Sequence, residues 1–121
     1  MFSGFVRASL LALILAAATA DLAAASTVYD GQWSLTISTE RGACDSTYHF
    51  VVDINNGVVS HPNLVRLRGR VAKGGSVRVT VAAAGKSASG SGRMNRTSGR
   101  GHWTGYSGSD RCSGSWSAQK Y

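Results

Sequence analysis

Beyond residue 25, apolar and polar residues alternate with a spacing of two through most of the chain, the period of a half-buried β-strand. Gly31, Trp33, Leu35 and Ile37 fall on one face, with Gln32, Ser34, Thr36 and Ser38 on the other. Tyr48, Phe50, Val52 and Ile54 repeat the pattern against His49, Val51, Asp53 and Asn55. Asn56-Gly57 follows, the pair best suited to a hairpin turn that needs positive φ at both central residues. A short strand over Val58–Ser60 comes next, brought to an end by Pro62. Val65, Leu67, Gly69 and Val71 then alternate with Arg66, Arg68, Arg70 and Ala72, and Lys73-Gly74-Gly75 turns the chain into Val77, Val79, Val81 and Ala83. After Gly85-Lys86, Ala88, Gly90, Gly92 and Met94 form a face of mostly small residues. Gly101, Trp103 and Gly105 make a seventh candidate strand, and Cys112, Gly114, Trp116 and Ala118 an eighth. No helical period is present after residue 25.

The Gly- and Ser-rich stretch 85–115 could also be read as a linker. Trp103 and Trp116 favour strands, because linkers rarely carry large aromatics. The unit Gly-x-Trp recurs at Gly31-Gln32-Trp33, Gly101-His102-Trp103 and Gly114-Ser115-Trp116. A glycine two residues before a tryptophan leaves room on the same face for a ring to lie flat, which is first of all a packing device.

The opening residues, Met1 to Ala20, read differently. Arg7 precedes an apolar run, Ala8–Ala18, interrupted only by Ser9, and small residues follow it. This is the layout of an export signal, with cleavage expected after Ala20 or Ala25. The run is short for a bilayer, which takes about 20 residues; a retained anchor is the alternative. The expected division is therefore residues 1–25 as signal peptide and 26–121 as a single domain, in the periplasm or outside the cell.

Export changes the reading of Cys44 and Cys112. An even pair in an oxidising space forms a disulfide by default, ahead of two free thiols. Cys44 lies just past the first strand and Cys112 at the start of the eighth. In an up-and-down barrel those strands are antiparallel neighbours, so the two positions meet. In an open meander they lie at opposite edges, beyond the roughly 7 Å that a disulfide tolerates. The expected fold is all-β: a small antiparallel up-and-down eight-stranded β-barrel, or curled sandwich, with one disulfide.

The series Tyr29-Asp30-Gly31-Gln32-Trp33, Gly42-Ala43-Cys44-Asp45, Asn56-Gly57, Gly69-Arg70-Val71, Gly90-Ser91-Gly92-Arg93 and Cys112-Ser113-Gly114-Ser115-Trp116 resembles small exported proteobacterial proteins, mostly uncharacterised. The resemblance implies export but carries no activity. At the level of fold, the chain also looks like the avidin and lipocalin barrels, which licenses no function.

Composition narrows the chemistry. The chain has 121 residues with 13 Lys+Arg against 6 Asp+Glu, a formal charge of +7. Only Arg7 and Asp21 of these lie in the first 25 residues, so the domain keeps the whole excess. Its carboxylates are Asp30, Glu40, Asp45, Asp53 and Asp110, most of them in or near turns. Asp53 and His49 share a strand face about 13 Å apart, too far to form a dyad. Gly105-Tyr106-Ser107-Gly108-Ser109 lacks the final glycine of a nucleophile elbow. Gly85-Lys86-Ser87 imitates a phosphate loop, but Thr80 stands where that motif needs glycine. His49, His61 and His102 are scattered, and the cysteines have no metal-ligand spacing. A non-catalytic protein with no cofactor and no metal is expected, as a monomer.

Three binding readings remain. Arg66, Arg68 and Arg70 project from one strand face about 7 Å apart, with Arg78 on the next strand and Arg93 and Arg100 as outward candidates to extend the patch across the sixth and seventh. Such a row suits an anionic polymer such as an acidic polysaccharide or lipopolysaccharide, against the ordinary alternative of a solvated basic face. Nucleic acid is disfavoured, because Tyr106 is the one obvious exposed aromatic able to stack a base. In a second reading, Trp33, Tyr48, Trp103 and Trp116 point inward against small residues and line a barrel pocket. The ordinary alternative is that those rings simply fill the space. The third is a protein partner, such as a secreted hydrolase, met by the loops Gly42–Ser46, Ser60–Asn63 and Ser107–Arg111.

Overall fold

The computed structural model describes residues 27–121 except Val65. The expected signal peptide and both candidate cleavage positions lie outside the described residues. Eight strands follow in order: β1 (Gly31–Arg41), β2 (Thr47–Asn55), β3 (Val58–Ser60), β4 (Arg68–Val71), β5 (Ser76–Ala83), β6 (Lys86–Met94), β7 (Ser98–Ser107) and β8 (Asp110–Lys120). Each pairs antiparallel with the next, and β8 returns to β1 to close a barrel. The closing ladder runs from Trp33 opposite Lys120 to Arg41 opposite Ser113. Closure satisfies the backbone groups that an open sheet would leave along two edges.

The alternation sets which way each side chain faces. Trp33, Val52, Ile54, Val59, Val71, Val77, Met94 and Ala118 are buried inside, and the outward positions are mainly Ser, Thr and Arg. A lipid-spanning barrel carries an apolar band on its outside, so this pattern is inverted relative to one.

The two ends of the barrel differ. At one end, the segment before β1 crosses the base. Tyr29 is buried there, and its hydroxyl donates to the carbonyl of Lys73 at 3.2 Å. Trp33, fully buried, donates its indole N–H to the carbonyl of Tyr29 at 2.8 Å. Hiding a tryptophan removes on the order of 200 Å² of surface from water. At 25 cal/mol/Å² that is worth about 5 kcal/mol before chain entropy is subtracted. The Asn56-Gly57 turn also lies at this end, with φ of 51° and 76° as a type I′ turn requires.

The opposite end carries the β1–β2 loop, the long β3–β4 connection and the tips of the β5–β6 and β7–β8 hairpins. Cys44 and Cys112 are bonded there, with Cα atoms 6.2 Å apart. Gly108 N donates to Gly85 O at 3.1 Å, tying the two hairpin tips together.

One expected strand is shorter than its alternation. β4 starts at Arg68, and Arg66 lies exposed in the connection before it. The row of three arginines on one strand is therefore a pair, Arg68 and Arg70. β3 is only three residues long, so β4 finds partners on that side at Val58 and Val59 and nowhere further. Past Ser60 the chain instead forms two turns in succession, with Leu64 N bonded to His61 O and Leu67 N to Leu64 O.

Candidate functional site

The barrel interior is not filled. A cavity of about 300 Å³ runs inward from the end that holds the disulfide, and its lining is almost wholly apolar. Trp33 forms its floor, with Val52, Ile54 and Met94 beside it. Leu35 and Ile37 on β1, Tyr48 and Phe50 on β2, and Val79 and Val81 on β5 make one side of the wall. Ala88 and Gly90 on β6, Trp103 on β7 and Trp116 on β8 make the adjoining side, with Gly90 directly beside Trp103.

The tryptophans are held in place by their polar edges. Trp103 Nε1 donates to the carbonyl of Ser38 at 3.0 Å, and Trp116 Nε1 to that of Ser91 at 3.2 Å. Each bond fixes a ring along the barrel wall instead of across the lumen. The space they need comes from glycine: Trp116 stands opposite Gly101, and Trp103 opposite Gly114. A Cβ on Gly92 would come within 2.6 Å of the Trp116 ring. Glycines therefore let the two rings lie flat, and the lumen between them stays open.

On β2, Tyr48 and Phe50 stack with ring centroids 6.4 Å apart. His61 meets Phe50 edge-on at 6.2 Å, bringing the β3–β4 connection over the rim. Leu64 and Leu67 of that connection line the cavity, taking the place of wall that β3 and β4 are too short to supply.

The expected pocket residues Trp33, Tyr48, Trp103 and Trp116 thus share one cavity. Leu64, Leu67 and Lys86 also line it and went unrecognised in the sequence. Leu67 was visible as an alternating apolar position. Lys86 was hidden by its place next to a turn, although it keeps the inward parity of Ala88, Gly90 and Gly92.

The expected anion-binding arginines divide. Arg70 and Arg78 are direct cross-strand partners on the outer face, and Arg68 pairs with Thr80. Arg66 sits apart, near the mouth. The structure adds a second like-charge pair, Arg93 opposite Arg100. The other outward partners of this group are neutral: Val58 faces Arg70, Ser91 faces Arg78, Ser76 faces Arg93 and Ser117 faces Arg100. Arg93 Nη2 donates to the carbonyl of Gly74 at 3.3 Å.

Among the described residues, no group of three or more His, Cys, Asp or Glu side chains is placed to hold a metal ion. A disulfide-linked eight-stranded barrel with an apolar cup and a basic outer face is thus the class of molecule defined by fold and site. No protein-family model, curated protein or solved structure matches the chain.

Proposed function

We propose that this protein is an exported, non-catalytic binding protein whose barrel holds a small apolar ligand. One observation carries the reading, the open apolar cavity of about 300 Å³. That is the volume of about ten waters at ~30 Å³ each. A confined water needs two to four polar partners, and this wall offers almost none. Displacing such poorly held water with an apolar group is favourable. The size is at the lower bound of ordinary ligand pockets, which points to a short chain or a single small ring system.

The test is a titration of the oxidised protein with straight-chain alcohols, read by tryptophan fluorescence, since Trp103 and Trp116 line the cavity. Each added methylene should tighten binding by about 0.8 kcal/mol, roughly fourfold in Kd, until the cup is full. The gain should stop on the order of ten carbons. Ala88→Leu, which fills the lumen, should abolish binding while keeping the protein folded. Flat titrations across the series would overturn the reading.

A second reading rests on a different observation, the two cross-strand arginine pairs of the outer face. Like charges placed opposite each other on a sheet destabilise it, and an anionic polymer such as an acidic polysaccharide or lipopolysaccharide would relieve them. Arg70→Ala/Arg78→Ala/Arg93→Ala should leave a heparin column at clearly lower salt than a triple variant removing Lys73, Arg111 and Lys120. Equal elution of the two would assign retention to net charge alone and remove this reading.

A further inference from the structure

We infer that the ligand of the cup is an anionic amphiphile, a short aliphatic chain ending in a carboxylate, whose head is held by Lys86 at the mouth. The inference rests on the cup reading and adds the chemistry of the head group. Among the described residues that line the cavity, Lys86 is the one with a charge, and none is Asp or Glu. The other inward positions of β6, Ala88, Gly90, Gly92 and Met94, are apolar or small, so a lysine at the end of that row departs from the pattern that built this wall of the cavity. Its place is set by backbone geometry. Ala84 and Gly85 form a two-residue turn with φ of 38° and 77°, and Ala83 pairs directly with Lys86. A non-glycine residue in the left-handed region costs about 1 kcal/mol. The turn accepts that strain, and an extra residue there would shift the register and turn Lys86 outward.

Ser107 of β7 stands directly opposite Lys86 and also lines the cavity. The bond from Gly108 N to Gly85 O holds the two hairpin tips side by side. The mouth therefore offers an ammonium and a hydroxyl together above an apolar well. A carboxylate can take hydrogen bonds from both while its chain enters the lumen. A lysine stem lying along apolar surface with its head in water is well suited to such a rim.

The experiment compares three ten-carbon probes on the oxidised protein: decanoate, decanol and decyltrimethylammonium. It is run at pH 8, where the carboxylate is ionised, and below the concentrations at which the probes aggregate. Decanoate should bind at least about threefold more tightly than decanol, the range of a partly exposed ion pair, and the cationic probe should bind most weakly. Lys86→Met should bring decanoate down to the level of decanol, Lys86→Arg should restore the difference, and Lys86→Glu should reverse the order of the charged probes. Equal binding of decanoate and decanol would overturn the inference and leave the cup reading standing. A decanoate preference that survives in Lys86→Met would assign it to the outer arginines and also overturn it. Failure of all three probes to bind would remove the cup reading itself.

Discussion

Trp103 and Trp116 depend on the absence of side chains next to them, so single methyl groups have large consequences in this barrel. Gly114 is buried opposite Trp103, in the strand that closes onto β1. A Cβ there would run into the carbonyl oxygen of Ser38 and stand 3.0 Å from the backbone nitrogen of Glu40. Backbone cannot move aside as a flexible side chain can, and Ser38 O is also the acceptor for Trp103 Nε1. Gly114→Ala should therefore cost about 3 kcal/mol, at the top of the overpacking range, lowering Tm by about 10–20 °C. Gly74 is the contrasting case, because nothing lies within 4 Å of its would-be Cβ. Its φ is not among the positive ones, so alanine fits and mainly restricts the unfolded chain. Gly74→Ala should raise stability by about 0.4–1 kcal/mol. Thermal melts of the two variants beside the parent check both signs.

At the scale of the strand, alternation carried most of the fold. The inward sets of β1, β2 and β5 to β8 were largely legible, because each runs beside at least one long neighbour that holds its period in register. β4 was not, since its length is decided by its neighbour. Val65 to Val71 has a strand's pattern, but pairing on the β3 side ends with Val59, and Arg66 is left in the turns that follow. Whether a strand has partners cannot be read from its own residues. The candidate site divides along the same line. Facing is a property of parity, so Tyr48, Trp103 and Trp116 could be placed inside. Emptiness depends on barrel radius and on how the rings lie, and no pattern of two encodes either. Gly92 and Gly101 beside Trp116 would suit a ring that plugs the lumen or one that lies along the wall. The bond from Trp116 Nε1 to Ser91 O selects the wall. Arg93 and Arg100 were visible as outward residues, but their direct opposition depends on the β6–β7 register.

At the scale of the whole molecule, the disulfide and the β1–β8 ladder join the same two parts of the chain, and they do different work. The ladder closes the barrel along nearly the full length of both strands. Cys44 lies beyond the end of β1 and bonds to Cys112, which is almost completely buried at the start of β8. The bridge thus restrains a seam that hydrogen bonds already close, and its main effect falls on the unfolded chain. It spans 68 residues, and closing a loop of that length lowers the entropy of the unfolded ensemble by about 4 kcal/mol in free-energy terms. Small domains are stable by only about 5–15 kcal/mol in total, so the bridge is a large share of what keeps this one folded. A Cys44→Ala/Cys112→Ala variant should show a urea midpoint shifted down by the equivalent of about 4 kcal/mol. The slope of its transition should steepen as well, because an unbridged chain exposes more surface on unfolding. Without urea, it should retain the native near-ultraviolet circular dichroism of the tryptophans and bind the same straight-chain alcohols with unchanged chain-length dependence. If tryptophan order and binding vanish while the sheet signal persists, the bridge shapes the cup directly, and the division of labour between ladder and disulfide is wrong.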